Sequence, residues 1–360
     1  MTRSQPYYPA LTGIRAVAAF MVFAHHFNPV AVASSPFLHH LINELHIGVS
    51  VFFVLSGFLI TMRYSGSAFS WQQFMSYVRN RIARIYPLYF FLTTATFIYL
   101  WALSSSGTFD VAGYLMNISL LKGFLDNWKF SGIAQSWSLT VEECFYLLVP
   151  LILLLRKRVN WILMPIALLL LGFFATWCRV GFDFEGLFNN SHFFLVYTFA
   201  GRSFEFFIGM QLAFLVKEQT EMRKGMKFTA GGILAVAACL TAMAWVSMGH
   251  TVSLDTAEGI MLNNIVLPIL VALFFYGLLR EETFVSTLLS TSPMQWLGKS
   301  SYAFYLVHLG FIQLLLQEQV TLNPLMLFVL LNAVALALYF LVERPLHVLL
   351  RVNAQGEDDR

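Results

Sequence analysis

Ten stretches of this chain, approximately residues 10–28, 46–63, 84–104, 136–155, 160–178, 193–215, 228–248, 260–279, 297–316 and 324–342, are predominantly apolar. Each approaches the roughly 20 residues that an α-helix needs to cross a bilayer core. Within lipid the backbone must satisfy its own N–H and C=O groups, so a chain built of such stretches is confined to membrane-spanning helices. The expected fold class is therefore all-α, a polytopic integral membrane protein of about ten transmembrane helices. Composition agrees, because only 11% of residues are charged where a soluble domain carries about a quarter.

The connections alternate in charge. Arg63, Arg79, Arg81 and Arg84 follow the second stretch, Arg156, Lys157 and Arg158 the fourth, Lys217, Arg223, Lys224 and Lys227 the sixth, and Arg280 the eighth. The intervening connections carry Lys122, Lys129 and Arg179. With Arg3 and the three C-terminal arginines, the basic set holds sixteen Lys/Arg against three. By the positive-inside rule both termini are expected in the cytoplasm, which an even number of crossings also requires. The expected location is the inner or plasma membrane of the cell, with the bilayer as the first partner.

The first stretch follows only Arg3 and lacks a small-x-small exit, so it is expected to be a retained helix rather than a cleaved signal. Cys144, Cys178 and Cys239 fall in apolar stretches, which argues against a disulfide framework or a CxxC metal site. No metal is expected. A net charge of +3 is too small to point to nucleic acid. Residues 8–346 form the expected transmembrane domain and 347–360 a cytoplasmic tail, its end read as disordered, solvent-exposed chain. The connection 105–135 is long and semi-apolar, compatible with a segment that dips into the membrane or with a plain surface loop.

Polar groups inside apolar stretches are costly and mark functional candidates. Arg15 and His26 are eleven residues apart, which closes to about 20° at 100° per residue and spans roughly 16 Å of helix. They share one face, whereas His25 falls about 80° away. Ser56 and Gly57, within Gly48-Val49-Ser50-Val51-Phe52-Phe53-Val54-Leu55-Ser56-Gly57-Phe58-Leu59-Ile60, favour close helix packing. In Arg79-Asn80-Arg81-Ile82-Ala83-Arg84-Ile85-Tyr86-Pro87, Arg81 and Arg84 are co-facial and suit phosphate contacts; simple topological anchoring explains them equally well. Ser136-Trp137-Ser138-Leu139-Thr140-Val141-Glu142-Glu143-Cys144-Phe145-Tyr146 buries two adjacent glutamates, and Ser138 and Tyr146 share the face of Glu142. Arg202 with Glu205 is an i,i+3 pair able to neutralise itself. Ser301-Tyr302-Ala303-Phe304-Tyr305-Leu306-Val307-His308 adds Tyr305 and His308.

Taken in order, and with the closing Glu343-Arg344-Pro345, these strings resemble the membrane-bound acyltransferase 3 family from about Tyr8 to Pro345. The resemblance implies a stand-alone transmembrane O-acetyltransferase-like enzyme. Its expected reaction moves an acyl group, by family habit acetyl, from cytoplasmic coenzyme A to a hydroxyl of a carbohydrate or lipid-linked envelope precursor. It also implies His26 as the catalytic histidine, Glu142 as the acidic position, and Arg15, Arg81 and Arg84 as acyl-CoA contacts. Ser136, Trp137, Ser138, Tyr146, Arg202, Glu205, Tyr305 and His308 are expected to bind substrate or support the site. Asn80 stands where a second adjacent arginine is common, Cys144 where glutamine is frequent, and Val307 where tryptophan is frequent.

The chemistry fits those residues. Acyl transfer to an alcohol requires removal of the hydroxyl proton, a task suited to an imidazole. A carboxylate partner orients such a base, and Glu142 is the intramembrane candidate. Acyl-CoA is then a co-substrate, with no permanently bound cofactor. The rival class is a transporter or exporter of a polysaccharide or acylated precursor, since intramembrane Arg, His and Glu also build substrate pathways. No internal halves of similar pattern favour it.

Overall fold

The computed structural model describes residues 7–66, 71–104, 107–156, 158–178, 185–186, 191–219, 221–320 and 322–351. Arg3, Lys157, Arg179 and the chain end 355–360, used in the expectations above, lie outside the described residues. Among the described residues the structure is helical, with no β-sheet. In chain order come α1 (Pro9–His26), α2 (Pro36–Asn43), α3 (Gly48–Tyr64), α4 (Trp71–Leu103), α5 (Val111–Ile118) and α6 (Trp137–Leu155). Then follow α7 (Leu163–Cys178), α8 (Ser191–Tyr197), α9 (Phe199–Glu218), α10 (Lys227–Val246), α11 (Ala257–Met261) and α12 (Leu267–Arg280). The last are α13 (Phe284–Leu289), α14 (Ser292–Lys299), α15 (Ser301–Val307), α16 (Phe311–Gln319), α17 (Pro324–Leu338) and α18 (Arg344–Leu350).

Seven helical stretches among the described residues are long and apolar enough to cross a membrane: Pro36–Tyr64, Trp71–Leu103, Ala134–Leu155, Ser191–Glu218, Lys227–Val246, Ala257–Arg280 and Pro324–Leu350. Three of the ten expected stretches differ. Arg15, His25 and His26 dilute the apolar character of α1, and α7 is only 16 residues long. The stretch 297–316 is broken into the end of α14, α15 and part of α16. Gly310, at φ +120°, separates α15 from α16 in a backbone conformation that L side chains rarely adopt.

The chain divides into two compact units. The first comprises Met1–Gly66, Asn160–Val180 and Asn190–Ser301; the second comprises Ser67–Val159, Gly181–Asn189 and Tyr302–Arg360. In the first, α3 packs along α9, α10 along α12, and α1 against α3 and α14. Leu11, Ile14, Val54, Phe58, Leu212, Val271 and Phe275 fill its apolar core. Gly13 lets α1 approach the Leu289 carbonyl, and Gly298 lets α14 approach the Thr12 carbonyl.

The second unit is organised on α4, which packs against α5, α6, α16 and α18. This helix begins at Trp71, well before the expected start at 84, so Arg79, Arg81 and Arg84 lie on it rather than in a connection. The connection 107–136 is ordered by local bonds: the Asp110 side chain caps α5, and short 3₁₀ turns occupy Leu121–Phe124 and Ala134–Ser136.

Among the described residues each unit has one π-helical turn, Leu262–Val266 in the first and Tyr339–Glu343 in the second. A proline follows closely in both, Pro268 and Pro345. Proline has no N–H and its ring excludes the carbonyl four residues earlier, so an α-ladder cannot pass unchanged. The N–H groups of Leu267 and Arg344 instead donate to the carbonyls of Leu262 and Tyr339, five residues back.

Candidate active site

In the first unit, α1 is unbroken from Pro9 to His26, so the Arg15-to-His26 step keeps the shared face that helical geometry requires. Arg15 is half-buried, and His26 is exposed as the last helical residue. His25 is engaged differently. Its Nδ1 lies 2.5 Å from the Asn43 carbonyl, which can only accept, so that nitrogen carries the proton. The two imidazoles meet edge to face with centroids 4.6 Å apart.

Arg202 and Glu205 form a buried bidentate pair, with Nε to Oε2 and Nη2 to Oε1 both at 2.7 Å. The guanidinium also donates to Ser50 Oγ at 3.0 Å and to the Val196 carbonyl at 3.2 Å, and it lies over the Phe53 ring. The Ser50 hydroxyl in turn donates to Asn263 Oδ1 at 3.2 Å, and the Asn263 amide donates to Asn264 Oδ1 at 2.8 Å. Arg202 is thus tied on several sides by protein groups.

In the second unit, Arg81 and Arg84 are half-buried and one turn apart on α4. The Arg81 guanidinium stands 5.3 Å from the centroid of the Tyr146 ring and 6.0 Å from that of Tyr77. Tyr77 donates to the Tyr146 carbonyl at 2.9 Å, and the Tyr146 hydroxyl donates to Glu142. Glu142, Tyr146 and Arg81 therefore form one continuous group. The shared face of Glu142 and Tyr146 on α6 is realised as a direct bond.

Ser138 lies elsewhere. Its hydroxyl donates to the Gln135 carbonyl at 3.0 Å and pairs with the Tyr305 hydroxyl at 2.8 Å. Ser136 bonds back to the Ile133 carbonyl at 2.7 Å, and Trp137, half-buried, opens α6. His308 is fully buried, with Nδ1 2.7 Å from the Tyr305 carbonyl, and its ring stacks parallel to Phe304. Ser138, Tyr305 and His308 form a second group around Gln135, whose amide donates to the carbonyls of Tyr305, Leu306 and Leu309 at 2.8, 3.0 and 3.3 Å.

The connection leading into Ser136 is anchored by Lys122. Its side chain is fully buried, and Nζ donates to the carbonyls of Ser131 and Ile133 at 2.5 and 2.7 Å. Burial pushes the Lys122 ammonium down to about 7. Thr140 on α6 holds the Leu120 carbonyl at 2.7 Å, and Leu120 itself is left-handed at φ 59°.

Sequence reasoning counted Lys122 only as a charge in a connection and did not single out Gln135, Glu44 or His46. Glu44 is an acid at the edge of an apolar run, and the rule applied to Glu142 would have singled it out. Lys122 and Gln135 stand in a connection, where polar residues are ordinary and only burial distinguishes them. Among the described residues, no group of three or more His, Cys, Asp or Glu is placed to hold a metal.

Comparisons with known proteins cover almost the same residues. The chain is 26% identical to YrhL of Bacillus subtilis, a candidate peptidoglycan O-acetyltransferase by its name, over 96% of this chain and 56% of that one. It is 25% identical to the peptidoglycan O-acetyltransferase OatA of Listeria monocytogenes, over 86% of this chain and 50% of the relative. A candidate O-acetyltransferase of Staphylococcus aureus is 23% identical over 85% of this chain and 51% of its own. The chain thus spans about half the length of these relatives. No solved structure matches it. The model of the acyltransferase 3 family, described as an acyltransferase domain, matches residues 8–344, and this chain belongs to that family.

Proposed function

We propose that this chain is a membrane O-acyltransferase that moves an acetyl group from acyl-CoA to a hydroxyl of an envelope carbohydrate, with His26 as the general base. The names of the relatives favour peptidoglycan as the acceptor class. The observation that carries the proposal is the position of His26 at the exposed C-terminal end of α1, in line with Arg15 within the matched family segment. The acceptor oxygen attacks the thioester carbonyl carbon while the imidazole takes the hydroxyl proton. A C–O bond forms, the C–S bond breaks, and the coenzyme A thiolate leaves with that proton returned to it.

Both termini face the cytoplasm in this proposal, because along the sequence Lys/Arg-rich segments alternate with Lys/Arg-poor ones, which the positive-inside rule reads as an inward-facing side. Arg15, Arg81 and Arg84 contact the phosphates of the donor; guanidinium suits that geometry. Glu142 is the second catalytic candidate, held in place by Tyr146. Arg202 and Glu205 support the fold around Ser50, while Ser136, Trp137, Ser138, Tyr305 and His308 support the start of α6.

Acetyl-CoA turnover by purified protein tests the proposal. The expected result is hydrolysis or transfer that disappears in His26→Ala, and weaker donor binding in Arg81→Ala and Arg84→Ala by titration. Unchanged turnover in His26→Ala overturns the role of His26. Wild-type affinity in both arginine variants reduces them to topological anchors.

A further inference from the structure

Glu44 is fully buried in the short 3₁₀ turn Glu44–Ile47 between α2 and α3, and it is a carboxylate inside the apolar stretch Pro36–Tyr64. Ser253 anchors it on one side, with the backbone N–H at 2.7 Å from Oε1 and the hydroxyl at 2.6 Å from Oε2. On the other side His46 Nε2 lies 3.1 Å from Oε2. A carboxylate held by three donors, one of them an imidazole, is a fixed negative charge with a defined direction. His46 in turn meets the ring of His25 at right angles, centroids 5.6 Å apart, and His25 meets His26 at 4.6 Å. Because His25 Nδ1 is committed to the Asn43 carbonyl, the middle ring cannot rotate freely.

We propose that Glu44 and His46 form a carboxylate–imidazole dyad that acts, through the fixed ring of His25, as a positioning and charge-setting device for His26. This rests on His26 being the base. The dyad lies in the same unit as His26, on the turn that packs directly against α1. Glu44 touches no reacting atom in this scheme; it favours the proton-bearing form of the row of imidazoles. The elements packed around it carry Arg15, His25 and His26 on α1, His39 and His40 on α2, Cys239 on α10 and Asp255 on the Ser253–Asp255 turn, and of these His25 and Cys239 interact electrostatically with Glu44. Arg63 and Lys227 sit at the far ends of α3 and α10.

Glu44→Gln keeps the shape of the side chain and removes its charge, while His46→Gln leaves the carboxylate without its imidazole. The acid limb of the kcat/KM profile is therefore expected to move to lower pH in Glu44→Gln and to higher pH in His46→Gln, by roughly half to one unit each. Ser253→Ala, which alters an anchor and no charge, serves as the control, and its limb stays within a few tenths of a unit of the wild type.

The measurement is acetyl-CoA turnover by the full chain in detergent from pH 5 to 9, with His26→Ala in parallel. Opposite displacements in the two dyad variants support the proposal. Lower activity in both with an unmoved acid limb overturns it, since a structural role predicts that pattern. If His26→Ala is inactive while the limbs do not move, only the dyad fails; if His26→Ala stays active, the base assignment fails first. Should Glu44→Gln not accumulate, His46→Gln decides alone, and an unmoved or lowered limb there overturns the dyad.

Discussion

Gly57 on α3 and Gly209 on α9 are reciprocal contact points: a Cβ at Gly57 would meet the Phe206 carbonyl oxygen at 2.1 Å, and one at Gly209 would meet the Val54 carbonyl oxygen at 2.0 Å. Each glycine therefore lies against the backbone of the other helix, the close approach that small residues permit between membrane helices. Backbone cannot move aside as a side chain can, so Gly57→Ala and Gly209→Ala are expected to cost about 1–3 kcal/mol each. Apparent melting temperature in detergent reads this, and Gly231→Ala, with open space at its Cβ, is the neutral control.

Arg202 and Glu205 invite a double-mutant cycle. Removing either partner strands a buried charge, so Arg202→Ala and Glu205→Ala are each expected to destabilise by about 3–5 kcal/mol. The double variant should be less destabilised than the sum of the two. Strict additivity in thermal denaturation would show that the bidentate bond contributes nothing.

Glu281 caps α10 from the end of α12. It accepts from the Phe228 and Thr229 N–H groups at 2.9 and 2.8 Å and from the Thr229 hydroxyl at 2.8 Å. Burial works to raise its pKa, but these donors at the helix N-terminus outweigh it and hold the carboxyl below its ordinary range. Its stabilisation is present above the unfolded-state value and is lost as pH falls through the lower folded value. Glu281→Gln should melt below wild type by about 1–2 kcal/mol at pH 7, with the gap closing in acid. An equal gap at both pH values refutes the charge argument.

Lys122 has the opposite sign of dependence. Burial lowers its pKa to about 7 from 10.5, so between those values the unfolded chain binds a proton that the folded chain has lost. Its contribution to stability therefore rises as pH increases through that window. In Lys122→Met the rise between pH 7 and 9 should flatten, although the Ser131 and Ile133 carbonyls lose their donor and the variant is less stable at pH 9. Thermal unfolding across that range reads both effects.

Much of the chemistry was legible in one dimension because helix geometry is local. Arg15 and His26 share a face wherever α1 is continuous, and Glu142 reaches Tyr146 because four residues make one turn. Gly57 was recognisable as a packing residue because a residue without a side chain lets membrane helices approach closely. Ser138 obeys that periodicity too, yet its hydroxyl turns back to the Gln135 carbonyl three residues earlier and pairs with Tyr305, which is distant in sequence. The stretch 297–316 is not one continuous helix because hydropathy averages over Ser300 and Gly310, where the backbone leaves one helix for the next.

The sequence alone determined that the chain is a helical membrane protein, placed Arg15, His26 and Glu142 in their segments, and carried the family's motifs in order. Those properties follow from hydropathy and from spacings within single helices. Only the tertiary structure decided that Arg202 is also enclosed by Ser50 and Val196, that Lys122 is buried, and that Glu44 and His46 stand beside His25. Burial and long-range hydrogen bonds depend on which helices meet, and no local periodicity encodes that meeting.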